Sequence, residues 1–255
     1  MKQFSTAYIF LFAAVLCLIC STMISVAAVS LRERQEFNQS LDRKKSVLLA
    51  TRIIDANESI SAQRINELFG DIRSVIIDVS TGEVLEDYDV AEYDFQTTPR
   101  MRVPSNPAKV QEIPTISQLF QVEDNGQVDM LVIPIYGQGL WSTMYGYLAL
   151  DVDTKTVRGI TFYDHGETPG LGGEVDNPRW KNRWPGRKVF DDDWNPKIEV
   201  IKGQAGSPDE DPHRVDGLSG ATITSRGVSN MIEFWLSDLA FGPYLEQFRE
   251  QHGSV

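Results

Sequence analysis

Cysteine is scarce in this chain of 255 residues, and both copies, Cys17 and Cys20, lie inside the first apolar stretch. The remainder has no thiol, which excludes a disulfide framework, a cysteine nucleophile and an iron–sulfur cluster there. Histidine is nearly as rare. His165, His213 and His252 are widely spaced and form no paired ligand motif, which speaks against a zinc site. Positive charge is also short: residues 32–255 hold 23 basic against 36 acidic side chains. A surface that acidic repels phosphates, so no nucleic-acid partner is expected. Apolar residues, by contrast, make up 42% of the chain and include five Trp, enough to fill a core and exclude disorder throughout. The length beyond the first segment fits one large domain, or a domain with a helical stalk.

From Gln3 to Leu31 there is no charged residue. Tyr8–Val29 would reach roughly 33 Å as a helix, enough to cross a bilayer core. Ser25-Val26-Ala27 resembles a signal-peptide cleavage site, but the apolar run is too long for a signal core and only Lys2 precedes it. The reading is an uncleaved anchor over 1–30. A lipoprotein is excluded by the bulky Leu16 and Ile19 before each cysteine. Cys17 and Cys20 would share a helix face, yet two thiols alone complete no metal site, and in lipid they act as small apolar residues. Arg32, Arg34, Arg43, Lys44 and Lys45 follow the span, so the positive-inside rule favours a cytoplasmic domain; that rule is weak for a long downstream domain. The apolar run has no carboxylate, which makes it a poor ion path and suits docking against partner helices.

Leu31–Ile54 and Ser61–Phe69 read as helices, giving a helical stalk over 31–70. Arg73–Leu85 reads as a hairpin turning at Ser80-Thr81-Gly82. Residues 86–115, acidic and then rich in Pro and Thr, read as a long surface loop. Val128–Tyr136, Met144–Val152 and Val157–Tyr163 are strand-like runs, and Lys197–Lys202 another. Asn177–Trp184 reads as a short helix and Gly203–Leu218 as loop. Thr224–Ser237 and Pro243–Gln251 read as helices, and no internal repeat is present. Mixed strands with helices at both ends predict an α+β domain over 71–255.

Two segments can carry chemistry. Asp216-Gly217-Leu218-Ser219-Gly220-Ala221-Thr222-Ile223-Thr224-Ser225 leaves a polar loop and enters a helix. Its glycines suit a tight turn, and its hydroxyls can cap helix amides. The same geometry offers amide donors and positive potential to a phosphate. The second is His165-Gly166-Glu167-Thr168-Pro169-Gly170-Leu171-Gly172-Gly173-Glu174, where four glycines in eight residues allow close approach to a flat ligand, or simply make a surface turn. His165 reads as a loop histidine rather than a general base. Gly217-Leu218-Ser219-Gly220-Ala221 falls one residue short of a hydrolase nucleophile elbow, lacks a buried strand before it, and has only His252 downstream; a serine hydrolase is excluded on that context.

The pair of segments resembles the flavinylation motif, Asp216–Thr222, and the companion loop, Glu167–Gly172, of bacterial FMN-binding domains. Gly139-Leu140-Trp141-Ser142 and Asp238–Tyr244, with Phe241-Gly242-Pro243, narrow the resemblance to the C subunits of sodium-translocating NADH:quinone oxidoreductases. It covers the N-terminal helix and nearly all of 128–250, the expected FMN-binding region. The G subunits of ferredoxin:NAD oxidoreductases share the two motifs but not the Trp141 and Phe241-Gly242-Pro243 segments. An anchored module without redox chemistry is the alternative of another class.

The resemblance implies FMN joined by a phosphoester to Thr222, within the turn of Ser219, Gly220 and Ala221. A threonine hydroxyl is a weak nucleophile without a base, and no histidine lies beside it in sequence. The family account is a separate flavin transferase using FAD and magnesium. Asp216 would then serve that step, or satisfy loop amides, or both. Lys202 is expected to balance phosphate charge, Glu167 and Thr168 to meet the ribityl chain or ring edge, and Leu171, Gly172 and Trp141 to line the isoalloxazine. Trp141 and Lys202 read equally well as a core anchor and a solvated lysine. No G-x-G-x-x-G fingerprint follows a strand, so NADH oxidation is expected in another subunit. The family also implies an extracytoplasmic domain at a bacterial inner membrane, against the local charge count.

Overall fold

The computed structural model describes residues 5–56 and 58–252, so residues 1–4 of the expected anchor lie outside it. The chain divides into two compact units, 1–42 and 43–255. The first unit holds most of helix α1, Thr6–Ala50, which no Gly or Pro interrupts. Every described residue up to position 40 is exposed, and the helix is long and apolar enough to cross a membrane. Its hydroxyls bond back to the preceding turn, Thr22 to the Leu18 carbonyl at 2.7 Å and Ser30 to that of Ala27 at 3.0 Å, which satisfies them without water.

The second unit begins with the last residues of α1. The stretch expected as a stalk, 31–70, therefore lies in its second half within this unit. Val47, Leu48 and Ala50 are buried. The helix closes with the Ile53 N–H donating to the Leu48 carbonyl at 3.1 Å and Arg52 in the left-handed region. Helix α2, Ala62–Gly70, is capped by the Ser61 side chain.

A five-stranded antiparallel sheet follows. It holds β1 (Ile72–Asp78) and, after the excursion 79–115, β4 (Ile116–Asp124), β5 (Gln127–Gln138), β6 (Thr143–Asp151) and β7 (Val157–Asp164), in spatial order β1-β4-β5-β6-β7. The excursion carries the short strands β2 (Arg100–Arg102) and β3 (Glu112–Pro114). Asn125 and Gly126 both take positive φ between β4 and β5, as a tight hairpin turn requires. Alternate residues face opposite sides. Leu119, Leu131 and Leu148 join the main core cluster, while their neighbours Phe120, Val132 and Ala149 are buried on the other side. There Phe120 meets Phe69 of α2 and Tyr147, with ring centroids 5.6 and 5.8 Å apart. Helix α4, Thr222–Leu236, lies along β5 on the main-core side, and α5, Gly242–His252, follows it. Trp235 of α4 donates its indole N–H to the Tyr136 carbonyl at 2.7 Å.

Two expectations need correction. Residues 86–115 are not a plain surface loop: β2 pairs with β3, and Ala108, Val110 and Ile113 are buried in the core. Asn106 holds the turn, donating to the Pro104 and Val110 carbonyls and accepting from the Val110 N–H. Strands of three residues are too short to print a period. The strand expected over Lys197–Lys202 shrinks to β8, Glu199–Val200, which pairs in parallel with β9, Arg214–Val215, inside the segment expected as loop. The buried Arg187 guanidinium fastens this region, donating to the carbonyls of Arg183, Asp211 and Gly206 at 3.1, 2.6 and 2.7 Å. Strand β4 carries no prediction from the sequence. Helix α3, Pro178–Lys181, is a short helix capped by Asn177, inside the expected range.

Candidate functional site

Three pieces of chain meet at one end of β5 and β6: the turn 139–142 between those strands, the loop 165–173 after β7, and the start of α4 with residues 216–221 before it. Glycines let them approach. A Cβ on Gly227 of α4 would stand 2.5 Å from the Gln138 carbonyl oxygen, and one on Gly172 would stand 2.6 Å from both Glu167 Oε2 and Thr224 Oγ1.

Glu167 ties the three pieces together. It is 5% exposed. Its Oε1 accepts the backbone N–H groups of Leu140 and Trp141, both at 3.0 Å, and its Oε2 accepts the Thr224 hydroxyl at 2.5 Å. Burial pushes this carboxyl up, but the hydrogen bonds from Thr224, Trp141 and Leu140 outweigh it and hold the group below its ordinary range. Two further bonds join the same loop to the same turn: the Gly166 N–H to Ser142 Oγ at 2.6 Å, and the Trp141 indole N–H to Thr168 Oγ1 at 3.0 Å. Trp141 is nonetheless 68% exposed, and Leu171 of the glycine-rich loop and Ile223 of α4 are exposed as well.

A pocket of about 460 Å³ opens against the start of α4, lined by Lys202, Asp216, Gly217, Ser219, Gly220 and Thr222 among others. Thr222 is the first helical residue and exposed, and its hydroxyl makes no hydrogen bond among the described residues. Ala221 precedes it and offers no capping side chain. The first intrahelical bond runs from the Ser225 N–H to the Ala221 carbonyl, so the amides of Thr222, Ile223 and Thr224 have no partner within the helix. The hydroxyls that the sequence offers as caps are used elsewhere. Thr224 bonds Glu167, and Ser225 Oγ accepts the Leu218 N–H at 3.1 Å. Asp216 is engaged by the protein: Oδ1 accepts the Ala205 N–H at 2.9 Å and Oδ2 lies 3.4 Å from Arg183 Nε.

Of the residues singled out from sequence, Lys202, Asp216, Ser219, Gly220 and Thr222 share the pocket wall. Glu167, Thr168, Leu171, Gly172 and Trp141 form the adjoining loops, joined to it where a Cβ on Gly220 would meet Leu171 Cδ2 at 3.0 Å. Sequence reasoning misses the linking role of Thr224 and the part played by Ser142. A helix-start hydroxyl reads locally as a cap, and its partner here is 57 residues away.

This fold and this loop constellation define an FMN-binding domain, and a family model of that description matches residues 139–237. Closely similar chains are the C subunit of the Na(+)-translocating NADH-quinone reductase of Yersinia pestis, 42% identical over 94% of this chain and 92% of that one, and its namesake in Pseudomonas aeruginosa, 36% identical over 98% of each. Among solved structures, NqrC of Shewanella oneidensis superimposes with a TM-score of 0.72 at 32% identity, covering 81% of this chain and 96% of that chain. The corresponding C subunit from Parabacteroides distasonis gives a TM-score of 0.64 at 27% identity, covering 84% and 96%. The chain belongs to the family of Na(+)-translocating NADH-quinone reductase C subunits, as its motifs imply.

Proposed function

We propose that this chain is the membrane-anchored electron-transfer subunit of a sodium-translocating NADH:quinone oxidoreductase, carrying FMN esterified through its phosphate to Thr222. The observation that supports the attachment point is a helix start left without a side-chain cap, with an unengaged hydroxyl at its first position, on the wall of a pocket that also holds Lys202. Amides without a helical partner and the positive end of a 15-residue helix fit a phosphate dianion. When bound, the flavin supplies the redox chemistry, passing electrons one at a time.

The chain's own residues do the rest. Lys202 faces the phosphate charge, and Ser219 and Gly220 shape the turn in front of it. Leu171 and Trp141 present apolar surface to the ring, and Thr168 holds the Trp141 indole in place. Glu167 acts by holding the loops rather than by touching the ribityl chain, since both its oxygens are already bonded to protein. Asp216 anchors the turn through Ala205 and Arg183. Attachment is assigned to a separate flavin transferase, as the family resemblance implies; the Thr222 hydroxyl has no hydrogen-bonded base among the described residues to activate it. NADH oxidation and sodium export belong to the assembled complex with its other subunits. The α1 span anchors the domain in the bacterial inner membrane, with the domain on the periplasmic face.

The full chain, co-expressed with a flavin transferase, should fluoresce under ultraviolet light in a denaturing gel, and tryptic peptide 215–226 should carry the added mass. Thr222→Ala should abolish both, while Ser219→Ala and Thr224→Ala keep the label. An unlabelled wild-type peptide refutes the assignment. Protease added to intact spheroplasts should digest the domain; full protection places it in the cytoplasm.

A further inference from the structure

We infer that His165 is a positioning residue for the flavin loops: its neutral ring, protonated on Nε2, links Asp176 to the Glu167 backbone and, through Glu167, fixes Trp141 and Thr224. The inference deepens the flavin reading above, and its test is arranged to stand without it. His165 directly follows β7, and its side chain is 13% exposed. Nε2 lies 2.8 Å from Asp176 Oδ2, and Nδ1 accepts the Glu167 N–H at 3.2 Å. A ring nitrogen that accepts an N–H carries no proton, so the single proton of the neutral ring sits on Nε2 and is donated to Asp176. Lys181 Nζ holds the other oxygen of that carboxylate at 3.4 Å.

The charged groups around the ring are Asp176 from the turn after the glycine-rich loop, Lys181 of α3 behind it, and Asp164 and Glu167 from the ring's own segment. The hydrogen bond to Asp176 favours a second proton on the ring and outweighs burial, which opposes it. That proton has one place to go, Nδ1, where the Glu167 N–H already points. Two demands thus meet on one imidazole. Accepting the second proton sets N–H against N–H and displaces the backbone of the residue whose carboxylate receives Leu140, Trp141 and Thr224. The order of the flavin-facing loops is therefore a function of the protonation of this ring.

The test uses the full chain in detergent, both flavin-loaded and as the flavin-free Thr222→Ala form. The readouts are visible circular dichroism of the flavin in the first, and in the second the Trp141 emission, taken as the difference from a Trp141→Phe control. Wild type should pass through one reversible transition between about pH 8 and about pH 5, the span that brackets histidine titration. His165→Asn places an amide oxygen where Nδ1 was; it should show no transition and keep the alkaline wild-type signal throughout. His165→Leu removes the acceptor and should show the acid-form signal at every pH. A transition that persists in His165→Asn, or a Leu variant that matches wild type at about pH 8, overturns the assignment. If His165→Leu does not fold, the His165→Asn profile decides. A wild type without flavin label refutes the attachment reading and leaves the Trp141 measurement intact.

Discussion

Glu167 is the residue on which the site's geometry turns, and Glu167→Gln and Glu167→Ala separate its hydrogen bonding from its charge. Alanine leaves two backbone amides and the Thr224 hydroxyl without their acceptor at a position that is 5% exposed. At about 1–3 kcal/mol for each unsatisfied buried group, with some relief from water at the exposed Trp141 turn, the expected loss is about 3–5 kcal/mol. Glutamine behaves differently. Its amide oxygen can keep both backbone N–H groups, and its amide N–H can donate to Thr224 Oγ1, which turns from donor to acceptor. What is lost is the charge assistance, about 1–2 kcal/mol. The pH dependence has a definite sign. The folded-state carboxyl sits below its ordinary value of 4.5, so its contribution is complete above that value and is lost as pH falls through the folded pKa. Glutamine has nothing to lose there, so the gap between wild type and Glu167→Gln narrows on acidification. Urea unfolding of the full chain in detergent, followed by circular dichroism at about pH 7 and about pH 4, measures both effects. A glutamine variant as damaged as alanine at neutral pH, or a gap that widens in acid, refutes the reasoning.

Three other substitutions test separate links. Thr161 is 1% exposed with no partner for its hydroxyl among the described residues, so Thr161→Val should stabilise the domain by about 1 kcal/mol in the same unfolding assay. Ile113 is fully buried, so Ile113→Ala should cost about 2–4 kcal/mol; a cost near zero would return 86–115 to the status of a surface loop. Ala221→Ser supplies the missing cap of α4 and should add about 1 kcal/mol to the flavin-free Thr222→Ala chain, with a smaller gain once phosphate occupies the helix start.

The long elements are legible in the sequence because each is a sustained apolar run or carries apolar residues at helical spacing. α1, β5, β6, β7, α4 and α5 all appear near where periodicity places them. β4 escapes because its polar residues do not mark a solvent face: Ser117 and Gln121 are buried on the same strand as Leu119 and Phe120, which breaks both an apolar run and an alternation. β2 and β3 escape because three residues hold no period. At the site, the motif residues around Thr222 are legible as a group through their order along the chain. The connections are not, because they join residues far apart in sequence. Nothing local says that Thr224 will donate to Glu167, or that Glu167 will receive the turn at Leu140 and Trp141. Glu167 reads from sequence as a ligand contact for the same reason: a carboxylate in a glycine-rich loop looks exposed until the fold buries it.

The start of α4 sets local propensity against function. The segment Thr222-Ile223-Thr224-Ser225 is rich in the hydroxyls that ordinarily cap helices, yet none caps this one. Thr224 and Ser225 are drawn into the surrounding loops, and the cap position itself is alanine, which forgoes about 1 kcal/mol. Such an omission is tolerated where something else satisfies the amides. An anion held there, as proposed above, would gain the N–H groups the helix leaves free, the helix field and Lys202 together, and within Thr222–Ser225 only the Thr222 hydroxyl makes no hydrogen bond among the described residues. The rigid lattice around Glu167 and the open helix start are complementary. The first leaves the apolar surfaces of Trp141 and Leu171 uncovered, and the second would hold one end of the proposed cofactor. The proposed electron-carrier role calls for both, since a tethered flavin would need one fixed end and one face left open to its partners.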